Sequence, residues 1–285
     1  MAINNTVYEF MERLDRGELK TKEGLLDYFG RYPEIFDVYF PDYCPKTDER
    51  LIRAIEQYPV KEEDISRAGQ RLPEEIGNVR DLYRGLTGID ADNDHHLFVG
   101  AFGPSAFVAG ANKDEVFYAL EMLSPEPDDL RLVAAHEMGH VVHRRISAEI
   151  SGETWWREVD WSHPLVTLLS EGGALYLSKL AVPGRGRPAY ISFGSLGEDG
   201  FGIYMANKKK LHEAFAEDMD TGWNEEKDKK WFRLSGGTRH GTPRLGYYIA
   251  DDFIEHRAEL RGMDAALTDW DAMTLAEEFM DYVKR

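Results

Sequence analysis

The sequence predicts an α+β fold that is mainly helical. A helical amino-terminal lobe is expected over residues 1–90. A second domain over 91–285 is expected to set a small antiparallel sheet against further helices. Apolar residues recur at three-to-four spacing through the first ninety residues. Short β-branched and aromatic runs, parted by turn residues, follow near residue 95. Helical periodicity then returns to the carboxyl end.

Within the first lobe, VYEFMERL, GLLDYF, LIRAIEQY and IGNVRDLYRGL carry the helical period. Pro33, Pro41, Pro45, Pro59 and Pro73 are expected to punctuate them. The opening MAINNTVYEFMERLDRGELK lacks a basic start followed by an apolar run, so it reads as an amphipathic helix and not as a secretion signal. LFVGAFG, AFVAGAN and EVFYALEM read as strands of an antiparallel sheet. SPEPDDLRLVAAHEMGHVVHRRI and HPLVTLLSEGGALYLSKLAVPG read as two helices, the second ended by Pro183-Gly184. The glycine-rich residues 184–202 read as a loop. A charged helix is expected near 205–220, then a polar stretch, then a helix over LGYYIADDFIEHRAEL.

Composition narrows the function classes. The 285 residues are 42% apolar and 30% charged, an ordinary globular balance with length for a real core. Mean hydropathy is -0.49, and no apolar run approaches the ~20 residues that a membrane helix needs. The net charge of -18 opposes nucleic acid and anionic membranes, so neither is expected as a partner. Cys44 is the only cysteine, which excludes an internal disulfide and a thiolate metal cage. A cytoplasmic location is expected, and any metal must be held by His, Asp or Glu.

HEMGH, residues 136–140, supplies that chemistry. At 100° per residue, His140 lies about 40° from His136 and one turn further on, so both imidazoles face one ion. Glu137 lies about 100° round, beside the ligand face, where a carboxylate takes a proton from a metal-activated water. At this composition about 0.02 such patterns arise by chance in a chain of this length. Gly139 costs about 1 kcal/mol against Ala inside a helix, which implies a close neighbour. His143 shares the face but lies ~4.5 Å further along the axis than His140, so it is read as a packing neighbour rather than a ligand.

Zinc needs a third protein ligand and an open position. Glu171 is the expected one. It is an acid in the middle of an apolar helix, flanked by Leu168, Leu169, Leu175 and Leu177, where a carboxylate is paired or bound to metal. Gly172-Gly173 would admit another backbone closely. Glu149 and Glu153 are poorer alternatives near the end of the first helix.

HEMGH followed by a helical SEGGA resembles the gluzincin class of zinc metallopeptidases, the thermolysin-like fold. A closer likeness is to a bacterial family of predicted Zn-dependent proteases. The matching pieces are His136 to His140, Glu171-Gly172-Gly173-Ala174 and Gly246-Tyr247-Tyr248-Ile249-Ala250, the last departing at Ala250 where the pattern has Gly. The likeness covers about residues 95–260. It implies a zincin-like domain over 91–285, with the sheet packed on the HEMGH helix. It also implies Zn²⁺ on His136, His140 and Glu171, with Glu137 as general base. Peptide or protein substrate would lie along an edge strand supplied by LFVGAFG or AFVAGAN. A Tyr or His would steady the oxyanion. Tyr247 is the expected residue, because Leu245, Tyr248, Ile249, Phe253 and His256 form the core face of its helix; His240 is its rival. Arg239 and Arg244 are candidate carboxylate binders or solvated charges. Two alternatives stay open: a metal-bound interaction module without turnover, and a zinc hydrolase of a non-peptide amide.

Overall fold

The computed structural model describes residues 1–109, 114–152, 155–157, 159–193, 199–234, 241–268 and 270–284. It is an α+β protein, mainly helical. No described helix is long and apolar enough to cross a membrane. Two compact units form: Met1–Asp81 with Ala91–Glu137, and Leu82–Asp90 with Met138–Arg285. The sheet and the amino-terminal helices thus share one unit, a different division from 1–90 and 91–285.

In the first unit, β1 (Ile3–Asn5) leads into α1 (Val7–Asp15). The Asn5 side chain accepts from Val7 N at 3.1 Å and satisfies one of the free amides of the first turn. The expected opening helix is therefore shorter by a strand. Its signal is three residues, two of them Asn, too short for periodicity to register. α2 (Lys22–Gly30) and α3 (Pro33–Asp42) follow, packing Tyr28, Phe29, Phe36, Tyr39 and Phe40 edge to face.

α4 (Asp48–Thr87) runs forty residues straight through Pro59 and Pro73. The prolines do not punctuate it. Pro59 is exposed and Pro73 half-buried, while Leu51, Ala54, Tyr58, Ile65, Ala68, Leu72, Ile76, Val79 and Tyr83 form a continuous buried stripe. An interior proline costs about 3 kcal/mol, and burying each large apolar side chain returns about 1.5–3 kcal/mol, so the stripe prevails.

The sheet is mixed, in the order β1-β2-β4-β3, with β2 at His95–Phe98, β3 at Ala106–Val108 and β4 at Val116–Ala119. β1 pairs parallel to β2 (Ile3↔His95) and β2 parallel to β4 (His95↔Val116). Among the described residues, only β3 and β4 pair antiparallel (Ala106↔Tyr118). This corrects the antiparallel expectation. Both β2 and β4 are buried on both faces, the condition that favours parallel strands, and such runs read alike in either direction. LFVGAFG starts inside the sheet, whereas AFVAGAN starts in β3, at the outer edge.

The turn between β2 and β3 is clasped by buried side chains. Glu121 accepts from Gly100 N at 2.9 Å and Phe102 N at 3.1 Å. The Tyr39 hydroxyl accepts from Ala101 N and Gly103 N, and Tyr58 donates to Gly100 O. Burial pushes the Glu121 carboxyl up to about 7, against the pull of its amide donors. A carboxyl whose pKa rises on folding favours the folded state below its unfolded value and loses that contribution as pH climbs through the folded one. Between about pH 4.5 and 7 this group is expected to remove on the order of 3 kcal/mol. In Glu121→Gln, urea titrations across that range should show a flatter pH profile. The variant should also be less stable overall, because the amide turns an N–H toward a backbone donor. An unchanged slope would refute this.

α5 is Pro127–Ser151. Arg131 grips Glu75 through two nitrogens, at 2.7 and 3.2 Å, and ties its first turns to α4. In the second unit, α6 (Pro164–Ala181) precedes α7 (Arg187–Ser192), a helix where a loop was expected. α8 (Asp199–Asp220) starts earlier than its charge pattern suggests, and α9 (Glu225–Phe232) replaces the expected polar stretch, anchored by buried Trp231 and Phe232. α10 (Leu245–Arg261) is buried on all sides through most of its length. α11 (Met263–Thr268) and α12 (Ala272–Val283) complete the chain.

Two glycines let α6 be gripped from two sides. A Cβ on Gly172 would lie 2.5 Å from the Ala250 carbonyl of α10, and one on Gly173 would lie 2.5 Å from the His143 ring of α5. Lys179 of α6 and Arg187 of α7 also pair with Asp251 of α10, and Arg187 and Lys208 pair with Asp252. Three cations thus balance the acids Asp251, Asp252 and Glu255, so this acidic group is an internal clamp.

Candidate metal centre

His136 and His140 stand one turn apart on α5, and Glu171 lies on α6. One ligand atom from each falls within 4.8 Å of the others. His140 Nε2 is 3.7 Å from Glu171 Oε2. Two atoms each ~2.1 Å from a tetrahedral ion stand roughly 3.4 Å apart, so the spacing fits a metal of zinc's size with little adjustment. A charged His140–Glu171 pair alone would not explain why His136 converges on the same point.

Burial around the cluster is graded. His136 and Glu137 are almost wholly buried, whereas His140 and Glu171 are about 12% and 20% exposed. The cluster is therefore reached by solvent at His140 and Glu171. Ser170, next to Glu171, hydrogen-bonds His140 Nδ1 at 3.1 Å. That contact engages Nδ1 and sets Nε2 toward Glu171, where it could bind an ion, the arrangement that orients metal-binding imidazoles. Sequence reasoning passed over Ser170, since a serine beside an acid carries no periodic signal.

His143 packs, as its rise along the axis predicted. It is fully buried, and Nε2 donates to Leu267 O at 2.6 Å. Burial lowers its pKa to about 4, so the ring is neutral at physiological pH. Gly139 also has the implied neighbour: a Cβ there would lie 3.1 Å from both Ala174 O and the Tyr83 hydroxyl. Glu149 is exposed at the end of α5, and Glu153 lies outside the described residues.

Tyr247 is at the start of α10, on the side that meets α6, one turn before Ala250. Its ring packs on Phe232 at 5.9 Å, and the Arg244 guanidinium lies over its face at 3.9 Å. Burial pushes the phenol up to about 12; Arg244 draws it down and the charge of Glu171 raises it. The hydroxyl therefore stays protonated, a donor, at every physiological pH. The reason given for Tyr247 falls short, because α10 has no single core face: Gly246, Tyr247, Ala250 and Asp251 are buried as well. His240 and Arg239 lie outside the described residues.

No family model, no characterised protein and no solved structure matches this chain. The site rests on its own geometry.

Proposed function

We propose that this protein is a zinc-dependent peptidase with a zincin-like domain, its metal held by His136, His140 and Glu171. The convergence of three ligand atoms within 4.8 Å, beside a glutamate that is not one of them, supports this reading most. Zinc in that position would supply Lewis acidity and acidify a water toward neutral pH. Glu137 then takes the proton of the attacking water and delivers it to the leaving amine. Tyr247 donates its hydroxyl hydrogen to the oxyanion of the tetrahedral intermediate. Ser170 holds the His140 ring in its ligand tautomer.

Metal analysis of protein purified without a histidine tag tests the reading. About one equivalent of zinc is expected, and it should be lost in His136→Ala. Less than about half an equivalent, unchanged by that substitution, would overturn it. Ser170→Ala should weaken zinc binding by about 10- to 100-fold in competition with a chelating dye. An unchanged affinity would remove Ser170 from the site.

A further inference from the structure

We infer that Arg244, stacked on Tyr247, recognises a carboxylate of the substrate. This rests on the peptidase reading and names the substrate class for that site. The chain carries 52 acids and 34 Lys or Arg, so an arginine of the fold has carboxylates to choose from. Arg187, Arg233, Arg257 and Arg261 each meet one, at 2.7–3.0 Å. Among the described residues, none meets Arg244. It is half-buried, held over the Tyr247 ring and 6.0 Å from Phe193. A partly desolvated guanidinium beside aromatic faces gains most from a planar anion that takes two of its N–H bonds. Stacking pins one face of the group and one N–H meets the Tyr247 hydroxyl, which leaves the other N–H groups of the guanidinium for that anion.

Position links the residue to the reacting centre. Arg244 immediately precedes α10, three residues before Tyr247, whose phenol lies within the field of Glu171. An anion held there sits beside the group proposed to steady the oxyanion. The anion is either the free carboxyl terminus of a peptide or an acidic side chain near the cleaved bond. Both present the same chemistry to Arg244.

The test uses full-length Glu137→Gln protein, which binds without turnover, both as purified and after zinc loading. Fluorescent octapeptide mixtures are titrated in three forms: a free carboxyl terminus without acidic residues, the matching carboxamide, and a carboxamide with one glutamate. A carboxylate form should bind about 10- to 100-fold more tightly than the plain carboxamide. Which of the two carboxylate forms wins identifies the source of the anion. The preference should vanish in Arg244→Gln and shrink in Arg244→Lys, which keeps the charge but not the fork. Melting curves and zinc content report whether each variant is folded, and Arg244→Lys decides if Arg244→Gln is not. Equal affinity for all three forms, binding of none, or a preference untouched by the Arg244 substitutions overturns the inference. Loss of the peptidase reading registers separately, as missing zinc.

Discussion

Replacing Glu137 with glutamine should leave the zinc content at about one equivalent while peptide hydrolysis falls by about 10²- to 10⁴-fold. The two halves of this result answer different questions. Glu137 follows His136 directly on α5, about 100° round from it, beside the ligand face and not on it. An amide there keeps the shape and the helix but accepts no proton. His136→Ala should remove both the metal and the activity. A Glu137→Gln protein that keeps zinc and hydrolyses peptides at the original rate would sink the general-base role. If neither the unsubstituted protein nor Glu137→Gln hydrolyses any peptide while both keep zinc, the metal is a structural or binding element and the enzyme reading falls.

Gly172→Ala should be the most damaging of the small substitutions around the site, although Gly172 lies outside HEMGH. Its Cβ would stand 2.5 Å from the Ala250 carbonyl and 2.4 Å from Ile254 Cγ1. The first is backbone and cannot rotate away, so α10 must move off α6. Overpacking of this kind costs about 1–3 kcal/mol or more, against ~1 kcal/mol gained from helix propensity. Tyr247 is carried on α10, so hydrolysis should fall along with stability. Gly173→Ala should follow closely, because the His143 ring it strikes is fixed by its bond to Leu267 O. Gly139→Ala, with contacts no closer than 3.1 Å, should be nearly neutral. Urea unfolding midpoints would rank the three. A Gly139→Ala variant less stable than Gly172→Ala would contradict the packing described.

Periodicity located most of the long helices, and spacing picked out His136, Glu137 and His140 as candidates, because both are properties of a short stretch of chain. His136, Glu137 and His140 share one helix, so their relation follows from 100° per residue alone. Glu171 was legible for a different reason: an acid amid leucines needs a partner wherever the helix packs. β1 was not legible, since three residues are too few to show a period. Pro59 and Pro73 misled, because the cost of a proline is local whereas the buried stripe that outweighs it runs the length of α4.

The sequence by itself therefore determined which His and Glu residues are candidate donors, the phase of His136 and His140 on one helix, and that one cysteine cannot build a thiolate cage. Only the tertiary structure decided the rest. It brings Glu171 to within 3.7 Å of His140, orients that ring through Ser170, turns His143 inward to Leu267 and sets Arg244 over Tyr247. These are contacts between residues from 3 to 124 positions apart. Most of them form when a second helix packs against the first, and side-chain patterns along one strand or helix carry no record of that partner.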